Sequence, residues 1–149
     1  MAEITIRPLA ATDRDAWTPL WRGYLTFYKA TLPPEIDAIT FGRLTGGEEP
    51  MGGFLAFEGD KPLGMVNWVL HRTTWSEKPI CYLQDLFTVP ESRGTGIGRK
   101  LIEAVNQMAR AKNCYRVYWQ THESNLQAQE LYNKVADKSG FMVYRQPLG

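Results

Sequence analysis

The chain carries only two cysteines in 149 residues, Cys81 and Cys114, and no C-x-x-C pair. A disulfide-stapled scaffold and a thiolate metal site therefore have no support, and a buried reduced thiol is expected at each position. Histidine is equally scarce: His71 and His122 lie far apart, so no metal site is expected. An excess of either charge sign is missing too. The formal net charge is +1, which removes the broad electrostatic case for nucleic acid or an anionic membrane as a partner. No apolar run approaches the roughly 20 residues that span a bilayer. The first residues, Met1 to Arg7, lack a signal-peptide profile, so cytoplasm is the expected compartment. Repeats and linker-like segments are absent, and the expectation is a single domain over residues 1–149.

What is present alternates between the strand period and the helix period. Ile4 and Ile6 alternate with polar neighbours and predict a strand ended by Pro8. Trp17, Leu20, Trp21, Tyr24, Leu25 and Tyr28 recur at helical spacing, so a helix is expected from a cap at Thr12 or Asp13 to about Lys29, starting or bending at Pro19. A short helix over 35–44 and a glycine-rich loop over 45–53 follow. Strands are then expected over 54–58, 63–71 and 80–89, with a connection over 72–79. Ile97, Leu101, Ala104, Val105 and Met108 mark one face of a helix over 97–112. A strand over 115–121 comes next. Ser124 with Gln127 forms a capping box for a helix over 125–136, and a final strand is expected over 141–145. The order β-α-α-β-β-β-α-β-α-β predicts a mixed α/β fold with helices against a central sheet.

The segment Arg93-Gly94-Thr95-Gly96-Ile97-Gly98-Arg99 joins the strand over 80–89 to the helix that follows. Glycines at alternate positions clear side chains from the turn. Its amides then converge with the first helix amides, which lack internal partners and sit at the positive end of the helix dipole. That is a seat for a phosphate or pyrophosphate. The spacing is not the G-x-G-x-x-G of a dinucleotide fold. Leu101 follows Lys100, so it is not a P-loop either. What remains is R-x-x-G-x-G, weighed against a glycine-rich turn that only reverses the chain.

This motif resembles the acetyl-coenzyme A signature, Q/R-x-x-G-x-G/A, of the GNAT acetyltransferase superfamily, and the element order is similar to that family over nearly the whole chain. Tyr82-Leu83-Gln84-Asp85-Leu86-Phe87-Thr88-Val89 and the pair Asn125 and Tyr132 resemble its small-amine branch, which includes spermidine/spermine and thialysine N-acetyltransferases. Trp119 to Asn125 resembles a group that acetylates histones, polyamines or D-amino acids. The resemblance implies a mostly antiparallel twisted sheet flanked by helices, acetyl-coenzyme A as co-substrate, and homodimerisation as in many members. It implies that Leu86, Phe87 and Thr88 lend backbone groups to the pantetheine arm. Gly94, Thr95, Gly96, Ile97, Gly98 and Arg99 would then hold the pyrophosphate, and Asn125 would meet the pantetheine or its phosphate end. Arg93 is a phosphate partner or a structural arginine; Lys100 reads as a surface charge.

Acetyl transfer to an amine requires a neutral nucleophile, a hydrogen bond for the charge that develops on the carbonyl, and a proton for the departing thiolate. A lysine-like amine with a pKa of about 10.4 needs roughly 4–5 kcal/mol to present its neutral form at pH 7. By the resemblance Tyr132 is the candidate acid, with a core tyrosine as the competing reading. Asp85 is the candidate base or amine anchor, with an edge salt bridge as its alternative. Gln84 departs from the small-amine branch, which has glutamate there, and leaves Asp85, a water chain, Glu77, Glu123 or His71 to take the proton. The aromatic stripe is mainly core, with some of it, and Trp68 or Trp75, as a wall for a cationic acceptor. The leading reading is an N-acetyltransferase for a small primary amine. The alternatives are a protein lysine or N-terminal acceptor, and a non-catalytic module that binds acetyl-coenzyme A.

Overall fold

A computed structural model describes residues 3–149. Five strands form one sheet in chain order: β1 (Ile4–Pro8), β2 (Met51–Glu58), β3 (Lys61–Thr73), β4 (Ser76–Thr88) and β5 (Arg116–Tyr118). The first three pairings are antiparallel and β4–β5 is parallel. The parallel pairing follows from the crossover between those strands, which contains helix α3 (Ile97–Ala111). Helices α1 (Arg14–Phe27) and α2 (Glu35–Thr45) cover one face, and α3 covers the other with α4 (Leu126–Val135) beside it. No helix among the described residues is long and apolar enough to cross a membrane.

Each face has its own core. On one, Trp17, Leu20, Trp21 and Leu25 of α1 pack with Phe41 and Leu44 of α2 onto Leu55, Phe57, Met65 and Phe87. The α1 stripe forms a stack, with Trp17 and Trp21 at 5.3 Å between centroids and Trp21 and Tyr24 at 5.9 Å. On the other face, Ile97, Leu101, Ile102, Val105 and Ala109 of α3 cover Ala56, Leu63, Val66, Cys81 and Leu83. Two ion pairs pin the first layer. Arg7 grips Asp13 through two contacts of 2.8 Å, and Arg22 holds Asp37 at 2.7 Å.

Several expectations from the sequence need correction. Pro19 neither starts nor breaks α1; it sits on the exposed side, where the Asp15 carbonyl that it cannot serve reaches water. Gly52 and Gly53 are not loop but buried strand. A Cβ at Gly52 would stand 2.4 Å from the Trp68 ring, and one at Gly53 would stand 2.7 Å from the Val66 carbonyl oxygen. Glycine is there because the neighbours come close, not because the chain turns. The connection expected over 72–79 is mostly ladder, because β3 and β4 run on to a tight turn between Thr73 and Ser76. The cap of α4 is Asn125, whose Oδ1 accepts from the Ala128 amide at 3.3 Å. Ser124 instead engages the His122 ring at 2.7 Å, so the expected capping box does not form.

The strand expected over 141–145 is absent. Phe141, Met142, Val143 and Tyr144 are 82, 75, 64 and 88% exposed. Their period suits a strand, but a strand exists only against a partner edge, and β5 presents just three residues.

Two glycine substitutions separate crowding from freedom. Gly53→Ala, aimed at the Val66 carbonyl, is expected to cost about 1–3 kcal/mol. Gly42→Ala, inside α2 with open space around its Cβ, is expected to stabilise by about 0.5–1 kcal/mol. Urea unfolding of the two variants measures both signs.

Candidate active site

The site begins where the sheet comes apart. β5 pairs with β4 only from Ile80–Arg116 to Tyr82–Tyr118. The last pair is sealed by stacked rings 4.8 Å apart. Past Tyr118 the chain leaves β4, and Trp119 packs edge-on against Tyr132 of α4 at 5.5 Å. Leu86, Phe87 and Thr88 therefore lie on a stretch of β4 paired with β3 on one side and with no strand on the other. Such a strand can receive an extended amide-bearing chain by the same hydrogen bonds that a further strand would make.

β4 also carries a bulge. Asn67 faces Asp85 while Trp68 faces Leu83, so Gln84 is the extra residue. The bulge reverses the alternation. Leu83 lies in the α3-side core, whereas Asp85 turns to the α1 side, where Asn67 donates to it at 3.0 Å, and Gln84 is left exposed. Asp85 is 9% exposed. Burial pushes its carboxyl above the usual carboxylate range, opposed first by the Asn67 donor and then, more weakly, by the Tyr24 phenol. Tyr24, Tyr28 and Tyr82 surround it, each with its phenol pushed upward chiefly by burial and raised further by the Asp85 charge.

Just beyond β4 lies the glycine loop. Gly94 and Gly96 have φ of +80° and +88°, values that disfavour any residue with a Cβ. Gly96 is the N-cap of α3 and brings no side chain to its amides; the first turn carries no acidic residue. The helix ladder starts with the Lys100 amide on the Gly96 carbonyl at 3.0 Å, so the amides ahead of it point outward without helical partners. Thr95 is held by its hydroxyl on the Ser92 carbonyl, and Ile97, 1% exposed, anchors the turn in the core. Gly98 serves a different purpose from the other two: its Cα hydrogen faces Leu131 of α4, where a Cβ would sit 3.5 Å from Cδ2. These residues suit a diphosphate with its counter-dipole already in place.

Arg93 is exposed and makes contacts within the fold. Its Nε donates to the Thr88 carbonyl at 3.2 Å, and the guanidinium lies over the rings of Phe27 and Phe87 at 5.0 and 5.6 Å. It ties the end of α1 to the loop and occupies one of the Thr88 backbone groups. Arg99 and Lys100 are exposed on the first turn of α3.

Asn125 and Tyr132 lie two turns apart on α4 and both face Tyr28. The Asn125 oxygen is spent on the helix cap, which leaves its amide nitrogen for the Tyr28 phenol. The Tyr132 hydroxyl is pushed up to about 12, by burial first and by Tyr28 second. Tyr28, at the C-cap of α1, thus lies between the α4 pair and Asp85. His71 is held at both ring nitrogens, donating from Nδ1 to the Arg72 carbonyl and accepting at Nε2 from Tyr118, each at 2.8 Å. Glu77 and Glu123 are exposed on the β3–β4 hairpin and in the loop before α4. Trp75 is 80% exposed at the hairpin turn, and Trp68 packs with the α3 side, so neither joins the Asp85 cluster. Asn67 was not among the residues singled out from the sequence; an amide inside the apolar run Leu63 to Leu70 was the available signal. Among the described residues, no group of three histidine, cysteine or acidic side chains is placed to hold a metal ion.

Residues 14–136 match the acetyltransferase (GNAT) family. The chain is 36% identical over 146 residues to a D-amino-acid N-acetyltransferase of Saccharomyces cerevisiae, covering 96% of this chain and 90% of that one. It is 32% identical over 83 residues to a thialysine N-epsilon-acetyltransferase of Caenorhabditis elegans, covering 56% of this chain and 51% of that one. The fold is similar to that of the aminoglycoside acetyltransferase AAC(6')-Iy in complex with a coenzyme A bisubstrate analog, at a TM-score of 0.86, 16% identity, and coverage of 99% and 100% of the two chains. A glycine loop on a helix N-terminus beside a parted parallel strand pair thus sits within a family match over most of the chain, and the protein belongs to the GNAT family as an acetyl-coenzyme A-dependent N-acetyltransferase.

Proposed function

We propose that this enzyme acetylates a small cationic primary amine, with Asp85 receiving the ammonium group and its proton and Tyr132 supplying a proton to the departing sulfur. The observation that carries the reading is the state of Asp85. Three aspartates are deeply buried, and Asp13 and Asp37 each hold an arginine. Asp85 has only the Asn67 amide and the Tyr24 phenol, and it is in no ion pair of the described residues. A buried carboxylate without a countercharge is costly, and an incoming ammonium supplies one. The tyrosine faces around it suit the same cation.

Acetyl-coenzyme A, when bound, supplies an acyl carbon open to attack by nitrogen. The backbone of Gly94 to Arg99 would hold its diphosphate, and Leu86 to Thr88, with Asn125, would align its amide arm. Asp85, with a carboxyl raised by burial, is a better proton acceptor than an ordinary aspartate, which suits general-base work. Tyr132, with its hydroxyl pushed up to about 12 by burial, stays protonated at pH 7 and so can offer its proton in a hydrogen bond to the departing sulfur. Gln84 is an amide and exposed on the bulge, so the proton-accepting duty passes to its neighbour. The activities named for the yeast and nematode relatives, on D-amino acids and thialysine, support a small acceptor.

Free-thiol release from acetyl-coenzyme A, measured against D-amino acids, lysine analogues, polyamines and a lysine peptide, tests the substrate class. Turnover is expected with a small cationic amine; turnover with the peptide alone would favour a protein acceptor. Coenzyme A binding without any thiol release would favour a non-catalytic module.

Tyr132→Phe is expected to lower kcat roughly 100-fold or more while calorimetric affinity for coenzyme A is kept. An unchanged kcat would remove the hydroxyl from the reaction.

Asp85→Asn should uncouple activity from stability. Its kcat/KM is expected to fall roughly 100-fold. Its thermal midpoint at pH 7 is expected to rise, because the folded-state carboxyl is raised and the ionised form therefore destabilises the native chain. That penalty is fully present above the folded-state pKa. It fades as pH falls through it toward the unfolded value, so the gain in melting temperature should shrink in acid. A substitution that lost stability at neutral pH would contradict the buried, unpaired charge.

A further inference from the structure

A polar chain runs inward from Asp85 and away from any acceptor. Trp17, on the buried face of α1, is 0% exposed, and Asn67, on β3 beneath it, is 2% exposed. The Trp17 indole donates to Asn67 Oδ1 at 3.2 Å, and Asn67 Nδ2 donates to Asp85 Oδ2 at 3.0 Å. The order of these bonds is forced. An indole N–H can only donate, so the amide must turn its oxygen toward Trp17 and its nitrogen toward Asp85. Turned over, the amide would set its oxygen against the carboxylate and its N–H₂ against the indole N–H, acceptor against acceptor and donor against donor.

The surrounding packing holds the chain still. Trp17 is stacked on Trp21 at 5.3 Å and tilted against Phe41 at 5.4 Å. The amide's nitrogen lies 4.0 Å from the Met65 sulfur. A Cβ at Gly53 would stand 3.2 Å from the Asn67 oxygen, so the strand beside it has been cleared to the backbone. Asn67 and Asp85 are cross-strand partners at the step where the β3–β4 register shifts. The bulge delivers the carboxylate, and the amide meets it there.

Resting on the reading of Asp85 as the amine's receptor, we infer that Asn67, locked in orientation by Trp17, is a positioning residue for acetyl transfer: it keeps the Asp85 carboxylate ionised and aimed at the acceptor. The other groups near Asp85 do not share this duty equally. Tyr24 and Tyr28 of α1 and Tyr82 of its own strand are neutral phenols held protonated by burial. Tyr118 of β5 reaches it only through Tyr82, and Tyr132 of α4 only through Tyr28. No Lys, Arg or His figures among the groups acting on Asp85, so the amide is its main donor.

The pH profile of kcat/KM reads this device. In wild type the acid limb follows Asp85. Asn67→Leu, which fills the space and donates nothing, is expected to move that limb to higher pH by about one to two units, the worth of one hydrogen bond to a charged group. Trp17→Phe keeps a ring in the stack and leaves Asn67 free to turn over. It is expected to move the limb in the same direction by less, and it carries the test should Asn67→Leu fail to fold. Coenzyme A affinity by calorimetry should stay at the wild-type value in both, and Asn67→Ser, a short donor, should restore part of the shift. Acid limbs that stay at the wild-type pH in both variants, whatever the loss in rate, would reduce Trp17 and Asn67 to packing residues. Asp85→Asn separates the two levels of the argument. If its residual activity keeps the wild-type acid limb, the assignment of Asp85 itself fails. If the limb disappears there but is unmoved in Asn67→Leu and Trp17→Phe, only the positioning role fails.

Discussion

The departure of β5 from β4 after three residue pairs is the constraint from which the rest of the site follows. Inside a sheet almost every backbone group is paired, and an unpaired strand flank beneath helices would ordinarily be a defect. Two local events produce it. The bulge at Gln84 bends and twists β4. On the other side, Trp119 turns toward Tyr132, so the chain after β5 follows α4 instead of the sheet. The gap is bounded by stacked Tyr82 and Tyr118 at its closed end and by the glycine loop beyond the end of β4. In the proposed reading an extended co-substrate would lie along that gap, with its diphosphate at the glycine loop.

The same bulge decides the electrostatics. Without an extra residue, Leu83 and Asp85 would face the same side, and the carboxylate would enter the apolar core beneath α3. With it, Asp85 meets Asn67, Tyr24 and, through the amide, Trp17. The contrast with Asp13 and Asp37 is instructive, because all three are buried and two carry their own arginine. Native stability is a small remainder of large terms, on the order of 5–15 kcal/mol. A buried charge left without a cation is thus a sizeable concession. Its placement at the parting of the strands, and nowhere else among the buried aspartates, is what the proposed role of Asp85 rests on.

Local chemistry made part of the site readable before any fold was known. Gly94 and Gly96 were identifiable because a tight turn into a helix needs left-handed φ, a property of the chain within a few residues. Tyr132 and Asn125 stood out through their resemblance to the family's late signature, and the two helical turns between them put both on one side of α4. Other readings failed where the cause was remote in sequence. Gly52 and Gly53 resemble loop glycines, but the Trp68 ring and Val66 carbonyl that require them belong to the next strand. Residues 141–145 have the period of a strand and no edge to pair with.

The sequence by itself determined the fold class, the helical and strand periods, the glycine turn from Gly94 into the start of α3 and the presence of a carboxylate at position 85. Those depend on residue type and short spacing, which act through local sterics and backbone dipoles. Only the tertiary structure decided that Gln84 is a bulge, that Asp85 faces the tyrosines of α1, that Asn67 and Trp17 stand behind it, and that Tyr28 lies between it and Tyr132. These relations join residues tens of positions apart. They arise when register and packing bring separate elements together, so no window along the chain contains them.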